Sequence, residues 1–172
     1  MAIKTKNSIV KSFYKLLEKK SIEEITVTDL VEKCNISRQT FYYHFNDIYS
    51  MIEWIFSDNV SKSAATIDKS NSLAESVKAY GEFIKPIHPL IVASLHTEYF
   101  TDIYNLIHSS YKQLSDRILK KHYHLNDAAQ QYSVVFWASA LCGLTVNEAQ
   151  KSKPDYDRLI KILTATMPRS RQ

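Results

Sequence analysis

Breaks in regular structure are rare in this sequence, which contains only 2 glycines and 4 prolines among 172 residues. Tight turns between β-strands usually require more of both residue types. Apolar residues make up 45% of the chain, which is enough to bury a sizeable core and is not typical of disordered proteins. Together these features predict an all-α fold of long helices.

Apolar residues recur at spacings of three and four, which predicts a series of helices. We expect Thr26 or Thr28 to cap the second helix, and Asn35 to end it in a left-handed conformation. Ser37 is expected to cap the third helix, and Asn46 or Asp47 the fourth. The Pro86/Pro89 pair is expected to end a helix near residue 85. The predicted helices are 7–20, 27–34, 38–45, about 46–65, 73–85, 87–97, 99–121, 127–151 and 155–167.

Residues 26–45 place two short helices on either side of a tight turn, the layout of a helix-turn-helix. In that motif the second helix enters the major groove of DNA, and the first crosses the backbone. Phe41 and Phe45 share one face of the second helix, so this face is predicted to be core. Gln39 and Tyr43 then point away from the core.

The chemistry of this outer face suits DNA. Arg38 can bind the edge of guanine with two hydrogen bonds, and Gln39 can do the same on adenine. Hydroxyl groups of Thr and Tyr suit phosphates. The alternative interpretation is a surface helix that packs on another element. The first twenty residues contain six lysines and one acid, Glu18, which fits either phosphate contacts or a solvated face.

The run Thr40-Phe41-Tyr42-Tyr43-His44-Phe45-Asn46-Asp47 resembles the DNA-binding domain of the TetR (tetracycline-repressor) family, and the resemblance covers about residues 7–56. It implies a three-helix DNA-binding domain at residues 1–50 and a helical effector and dimerisation domain at 51–172. Base or groove contacts carry over to Ser37, Arg38, Gln39 and Tyr43. Contacts with the sugar-phosphate backbone carry over mainly to Thr28, Thr40, Tyr42 and His44.

Two positions depart from the family pattern. Asn35 stands in the turn where the family usually has glycine, and asparagine tolerates the same backbone conformation. Ile48 stands where the family usually has a lysine that grips a phosphate, which puts one backbone contact in doubt. We expect Lys4, Lys6 or the N-terminus of the fourth helix to compensate.

Residues 132–146 are almost wholly apolar, which predicts a helix buried on all sides. The resemblance implies that the last two helices form a four-helix dimer interface, and a central helix in a monomeric bundle is the alternative. The predicted interface residues are Val135, Trp137, Ala138, Leu141, Leu144, Leu159, Ile162 and Leu163.

These observations predict a TetR-like regulator that binds a pseudo-palindromic operator in double-stranded DNA as a homodimer. A small molecule or a protein partner would control DNA affinity through the C-terminal domain. The body resembles a small subgroup that includes the dihydroxyacetone-kinase regulators, in which a protein can carry the signal. The alternative is a protein-interaction module whose helix-turn-helix no longer binds DNA specifically. The operator, the effector and the choice between repression and activation stay open.

Other function classes lack their motifs. No nucleophile elbow, glycine-rich phosphate loop or clustered carboxylates occur, so we expect no enzyme. No cofactor or metal is expected, and Cys34 and Cys142 are predicted to be buried thiols. Without a signal peptide or an apolar run long enough for a membrane span, the chain is predicted to be cytoplasmic. Ten side chains that could line a cavity are favoured as ordinary core: Trp54, Tyr80, Phe83, His96, Tyr99, Phe100, Tyr104, His108, Tyr111 and Trp137.

Overall fold

The computed structural model describes residues 2–167, and its regular structure in that range is entirely helical, as predicted. No helix within this range is long and apolar enough to cross a membrane. A 3-10 turn, Ile22–Glu24, lies between the first two helices. The helices are α1 (Ala2–Leu17), α2 (Val27–Cys34), α3 (Arg38–His44), α4 (Ile48–Lys69), α5 (Leu73–Ser94), α6 (Phe100–His122), α7 (Asp127–Ala149) and α8 (Tyr156–Thr166).

Helices α1, α2 and α3 pack together into a small unit that we call the head. Its centre is made of Ile9, Phe13, Leu30 and Phe41, which are completely buried. Burying a large apolar side chain stabilises a fold by roughly 1.5–3 kcal/mol. These side chains therefore fix the angles between three helices that are too short to be stable alone.

Helix α4 joins the head to the body, which we define as α4–α8. Asp47 caps its start, since its carboxylate accepts a hydrogen bond from the Ser50 N–H at 2.6 Å. The helix ends four residues beyond the predicted residue 65, at Lys69. Lys121 explains the extension: its ammonium donates to the carbonyl oxygens of Asp68 at 2.9 Å and Ser70 at 2.7 Å. A cation at this position satisfies carbonyl groups that a helix end leaves unpaired.

The prediction that Pro86 and Pro89 end a helix, and that a separate helix spans 87–97, is wrong. Helix α5 runs without interruption from Leu73 to Ser94 with both prolines inside it. Each proline costs a helix interior about 3 kcal/mol. Both prolines lie on the exposed side, and burial of the opposite side outweighs their cost. That buried side consists of Phe83, Ile84, Ile87, Leu90 and Ile91.

Helix α5 lies at the centre of the body and contacts α4, α6, α7 and α8. Three of the aromatic side chains proposed as cavity candidates form core here instead. The rings of Tyr80 and Phe83 lie 5.7 Å and 5.3 Å from the ring of Tyr111 in edge-on contacts. The Tyr80 and Tyr111 hydroxyl groups are paired with Ser115 and Thr145, at 3.0 Å and 2.6 Å. The interpretation of these residues as ordinary core is therefore confirmed.

Candidate nucleic-acid interface

The first helix of the motif, α2, is fixed by a reciprocal cap. The Thr26 hydroxyl accepts from the Asp29 N–H at 3.2 Å, and the Asp29 carboxylate accepts from the Thr26 N–H at 2.9 Å. Lys20 donates to the same carboxylate at 2.6 Å. The hydrogen bonds from Lys20 and Thr26 lower the pKa of Asp29 to about 2. Asp29 is therefore ionised at neutral pH, as the cap requires.

The turn between the two helices follows the prediction for Asn35. This residue ends α2 in the left-handed region, with φ 54° and ψ 51°. Its N–H donates to the Glu32 carbonyl at 3.2 Å, and the next N–H, of Ile36, donates to the Val31 carbonyl at 3.0 Å. These bonds satisfy carbonyl groups at the end of α2 and turn the chain sharply into α3.

Helix α3 also begins as predicted, because the Ser37 hydroxyl accepts from the Thr40 N–H at 3.0 Å. Its inner face is held by Phe41 and Phe45, both buried, with ring centroids 5.8 Å apart. The Phe45 ring also contacts Trp54 of α4 at 5.9 Å. The helix is therefore anchored to both the head and the body, which fixes the direction of its outer face.

The outer face of α3 presents the predicted contact residues to solvent. Tyr43 is 80% exposed and Tyr42 is 54% exposed, which is unusual for aromatic side chains of this size. Ser37, Arg38 and Gln39 are exposed in the first turn. Three other predicted contact residues are half-buried beside this face: Thr28, Thr40 and His44.

Two hydrogen bonds organise the polar groups of this surface. Arg38 donates from Nη2 to the Thr28 hydroxyl at 2.7 Å, which joins α3 to α2. The hydroxyl groups of Ser37 and Thr40 lie 2.9 Å apart. Arg38 keeps other N–H groups for DNA, because a guanidinium carries five. The arrangement can place one fork of donors and several hydroxyl groups against the edges of bases or the phosphates.

Lys6 lies at the place where α1 meets the end of α3. Its ammonium is 5.0 Å from the ring centroid of Phe45 and 5.3 Å from that of Trp54. Ile48, at the start of α4, is half-buried. The structure therefore holds one lysine of α1 at the head–body junction, while the position of the family's usual lysine is partly covered.

A second exposed surface runs along α7 and α8. On α7, Tyr132 is 79% exposed and Phe136 is 64% exposed, although the sequence predicts this helix to be buried on all sides. Val135, Leu144 and the α8 residue Ile162 are exposed as well. A groove of about 570 Å³ between the two helices is lined by Leu144, Leu159, Ile162, Leu163 and polar neighbours. Within one chain, then, only one side of α7 is covered.

The predicted interface residues divide between this surface and the core. Val135, Leu144 and Ile162 lie on it, and Trp137 and Leu159 are half-buried. Ala138, Leu141 and Leu163 pack in the core of their own chain. The predicted interface residues did not include Tyr132 and Phe136, while Gly143 was expected, with Ala138 and Ala140, to allow close helix approach. Apolar residues occur on every side of α7, so helical periodicity could not identify its exposed side.

Comparison with known proteins agrees with the geometry of the head. The family model of the bacterial regulatory proteins of the tetR family matches residues 9–53. Residues 9–53, which contain the helix-turn-helix, are therefore similar to this family. That match covers all of α2 and α3, most of α1 and the start of α4.

Two proteins that are similar to this chain over nearly its full length are named as activators of an operon. The HTH-type dhaKLM operon transcriptional activator DhaS of Lactococcus lactis subsp. lactis (strain IL1403) is 24% identical over 173 residues, covering 95% of this chain and 91% of the relative. The solved structure of a dihydroxyacetone kinase operon activator DhaS superposes with a TM-score of 0.74 at 20% identity. It covers 95% of this chain and 96% of the other. The body therefore shares the fold of these regulators.

Proposed function

We propose that this chain is a transcriptional regulator that binds a pseudo-palindromic operator as a homodimer. The observation that carries the proposal is the outer face of α3. An anchored helix exposes Arg38, Gln39 and Tyr43, while its cap and its apolar face are built into the head. A helix presented in this way fits the major groove.

The surface of α7 and α8 supports the homodimer. Large exposed apolar side chains in one continuous stripe usually mark an interface. Gly143 lies in the same stripe, and a Cβ atom built there meets nothing within 4 Å. A second copy could thus approach α7 closely at this point. Two heads held about one helical turn of DNA apart, roughly 34 Å, would read two half-sites related by a two-fold axis.

The control of DNA affinity is proposed to pass through the body, from a small molecule or a protein partner. Both DhaS proteins are named as activators of an operon. We propose that this chain is an activator as well. A reporter gene placed behind its operator should then be transcribed more when the protein is present. Lower transcription would contradict activation but would leave DNA binding intact. Because a regulator of this kind binds chromosomal DNA, we propose that it is located in the cytoplasm.

A binding selection on genomic fragments tests the proposal. The purified protein should enrich a short inverted repeat. Arg38→Ala and Tyr43→Ala should each weaken binding to it by about 5- to 150-fold, the range expected for one lost specific contact. Lys78→Ala is the matched control, because it removes an exposed positive charge from α5, in the body. Binding that is equally strong in both α3 variants would reject α3 as the recognition helix.

The alternative is an interaction module whose helix-turn-helix has lost DNA binding. The partly covered Ile48 is the observation that favours it. Salt dependence separates the two, because phosphate contacts release counterions and affinity then falls steeply with salt. Enrichment of no fragment, together with salt-independent weak binding, would favour the interaction module.

A further inference from the structure

A cleft of about 490 Å³ lies between α1 of the head and α5 of the body. One wall is formed by Tyr14 and Leu17 of α1 and by Glu18, the residue that directly follows this helix. The α5 wall is formed by Val92 and by Pro86 and Pro89, the two prolines inside that helix. The volume falls in the range of clefts that bind small molecules, about 300–1,000 Å³.

The lining of this cleft carries one acidic side chain, and Lys15 and Lys19 lie close to it in sequence but do not line the cleft. Glu18 is the charged side chain that lines it, and within residues 2–167 this carboxylate forms no ion pair. Lys85, next to Pro86, is paired with Asp157 at 2.6 Å. His88 also lines the cleft, and burial lowers its pKa, so its ring is neutral at pH 7.

Tyr14, four residues before Glu18, lines the same cleft. Its hydroxyl makes no hydrogen bond within the described residues, so the ring can adjust without breaking one. A carboxylate, an aromatic ring and apolar walls form a set that recognises a positively charged group on an apolar body. Glu18 would repel an anion, and a neutral molecule would gain nothing from this carboxylate.

We propose that the α1–α5 cleft binds a small organic cation, an ammonium group attached to an apolar or aromatic body. Its place between head and body gives binding a consequence, since α1 packs against α2 and α3. A hydrogen bond also connects the turn between α1 and α2 with the segment after α5, because the Glu98 N–H donates to the Glu23 carboxylate at 3.1 Å. A ligand that prefers one separation of α1 and α5 changes operator affinity by its differential affinity for the two states.

The binding test uses the full chain without DNA and a matched pair of probes. Benzyltrimethylammonium and neopentylbenzene have the same shape and differ in one positive charge. Titration followed by NMR or calorimetry should show the cation binding at least tenfold more tightly than the neutral probe. Glu18→Gln should remove that difference. Glu32→Gln, an exposed carboxylate of the head outside the cleft, should keep it.

A filled cleft provides the second variant. Val92→Trp should weaken binding of both probes at least tenfold, and its circular dichroism and melting temperature report whether it folds. No preference for the cation, or a preference that survives Glu18→Gln, would overturn the proposal even if Val92→Trp does not fold.

The effect on DNA is a separate measurement, which rests on the proposed function. Benzyltrimethylammonium should change the affinity of the wild type for its operator, and the operator should change the affinity for the probe by the same factor. Cation binding without any effect on the operator would overturn the regulatory part. Absence of operator binding would instead reject the proposed function, since the cation is measured without DNA.

Discussion

At the scale of single residues, two tyrosine hydroxyl groups are buried in opposite circumstances. The Tyr14 hydroxyl has no hydrogen-bond partner within the described residues, whereas the Tyr111 hydroxyl pairs with Thr145 at 2.6 Å. Burial raises the pKa of both side chains, so both are neutral phenols at neutral pH. Their difference lies in the hydrogen bond alone.

Tyr14→Phe should therefore leave the free energy of unfolding unchanged or raise it by roughly 1 kcal/mol, because an unsatisfied buried hydroxyl is removed. Tyr111→Phe should lower it by about 1–3 kcal/mol, because Thr145 then loses its partner in the core. Urea unfolding measures both. A larger loss for Tyr14→Phe than for Tyr111→Phe would contradict this account.

Asn35 carries the positive φ of the turn, and its side chain is exposed. Asn35→Gly should keep the stability or raise it slightly, because glycine adopts this conformation without strain. Asn35→Val should lower the free energy of unfolding by about 1–2 kcal/mol, because a β-branched residue is disfavoured there. Thermal unfolding of the two variants compares them directly. Equal melting temperatures would show that the turn relaxes.

At the scale of elements, α7 offers a position where dimerisation and chain stability can be separated. Gly143→Ala should raise the stability of a monomer by about 1 kcal/mol, since alanine favours helix and the Cβ meets nothing. Gly143→Lys is equally harmless within one chain but places a charge in the proposed interface. It should shift the protein from dimer to monomer.

Sedimentation at several concentrations checks this pair. Gly143→Ala adds only a Cβ atom at this position, so it should weaken dimerisation less than Gly143→Lys does. An unchanged mass for Gly143→Lys would mean that copies of this chain do not meet at Gly143.

The contact of α5 with α8 predicts a pH dependence. His88 Nδ1 lies 2.8 Å from the Tyr156 hydroxyl, and burial lowers the pKa of this histidine from its ordinary value of 6.5. The unfolded chain then binds the proton more readily than the folded one. The contribution of His88 to the free energy of unfolding is therefore fully present above about pH 6.5, the pKa in the unfolded chain. It is lost as the pH falls through the lower pKa of the folded state.

Unfolding free energies measured between pH 7.5 and 5 should therefore decline, and His88→Gln should reduce the decline. His122 contributes in the same direction, because burial and the charge of Lys121 lower its pKa as well. The double variant with His122→Gln should be the least sensitive. If the free energy of unfolding of the double variant declines as much as that of the wild type, other titratable groups cause the pH dependence.

At the scale of the whole molecule, local signals predicted the head better than the body. The caps at Thr26 and Ser37 and the left-handed Asn35 follow from residues a few positions apart, and the structure confirms them. The passage of α5 through Pro86 and Pro89 depends on burial against four other helices, which no local pattern contains. The same holds for the cleft, because Glu18 and Val92 lie far apart in sequence.

The position of α4, directly after the head, affects how such proteins can change. Met51, Ile52 and Ile55 are buried, and they follow residue 50 in the same helix that begins at Ile48. A gene fusion cut at residue 50 would divide α4 after its first three residues, because the helix begins at Ile48. A junction placed before Ile48 would keep α4 whole and together with α5 and α6, against which it packs. We therefore expect new combinations of operator and effector to arise by exchange at that point, or by substitutions on the surface of α3.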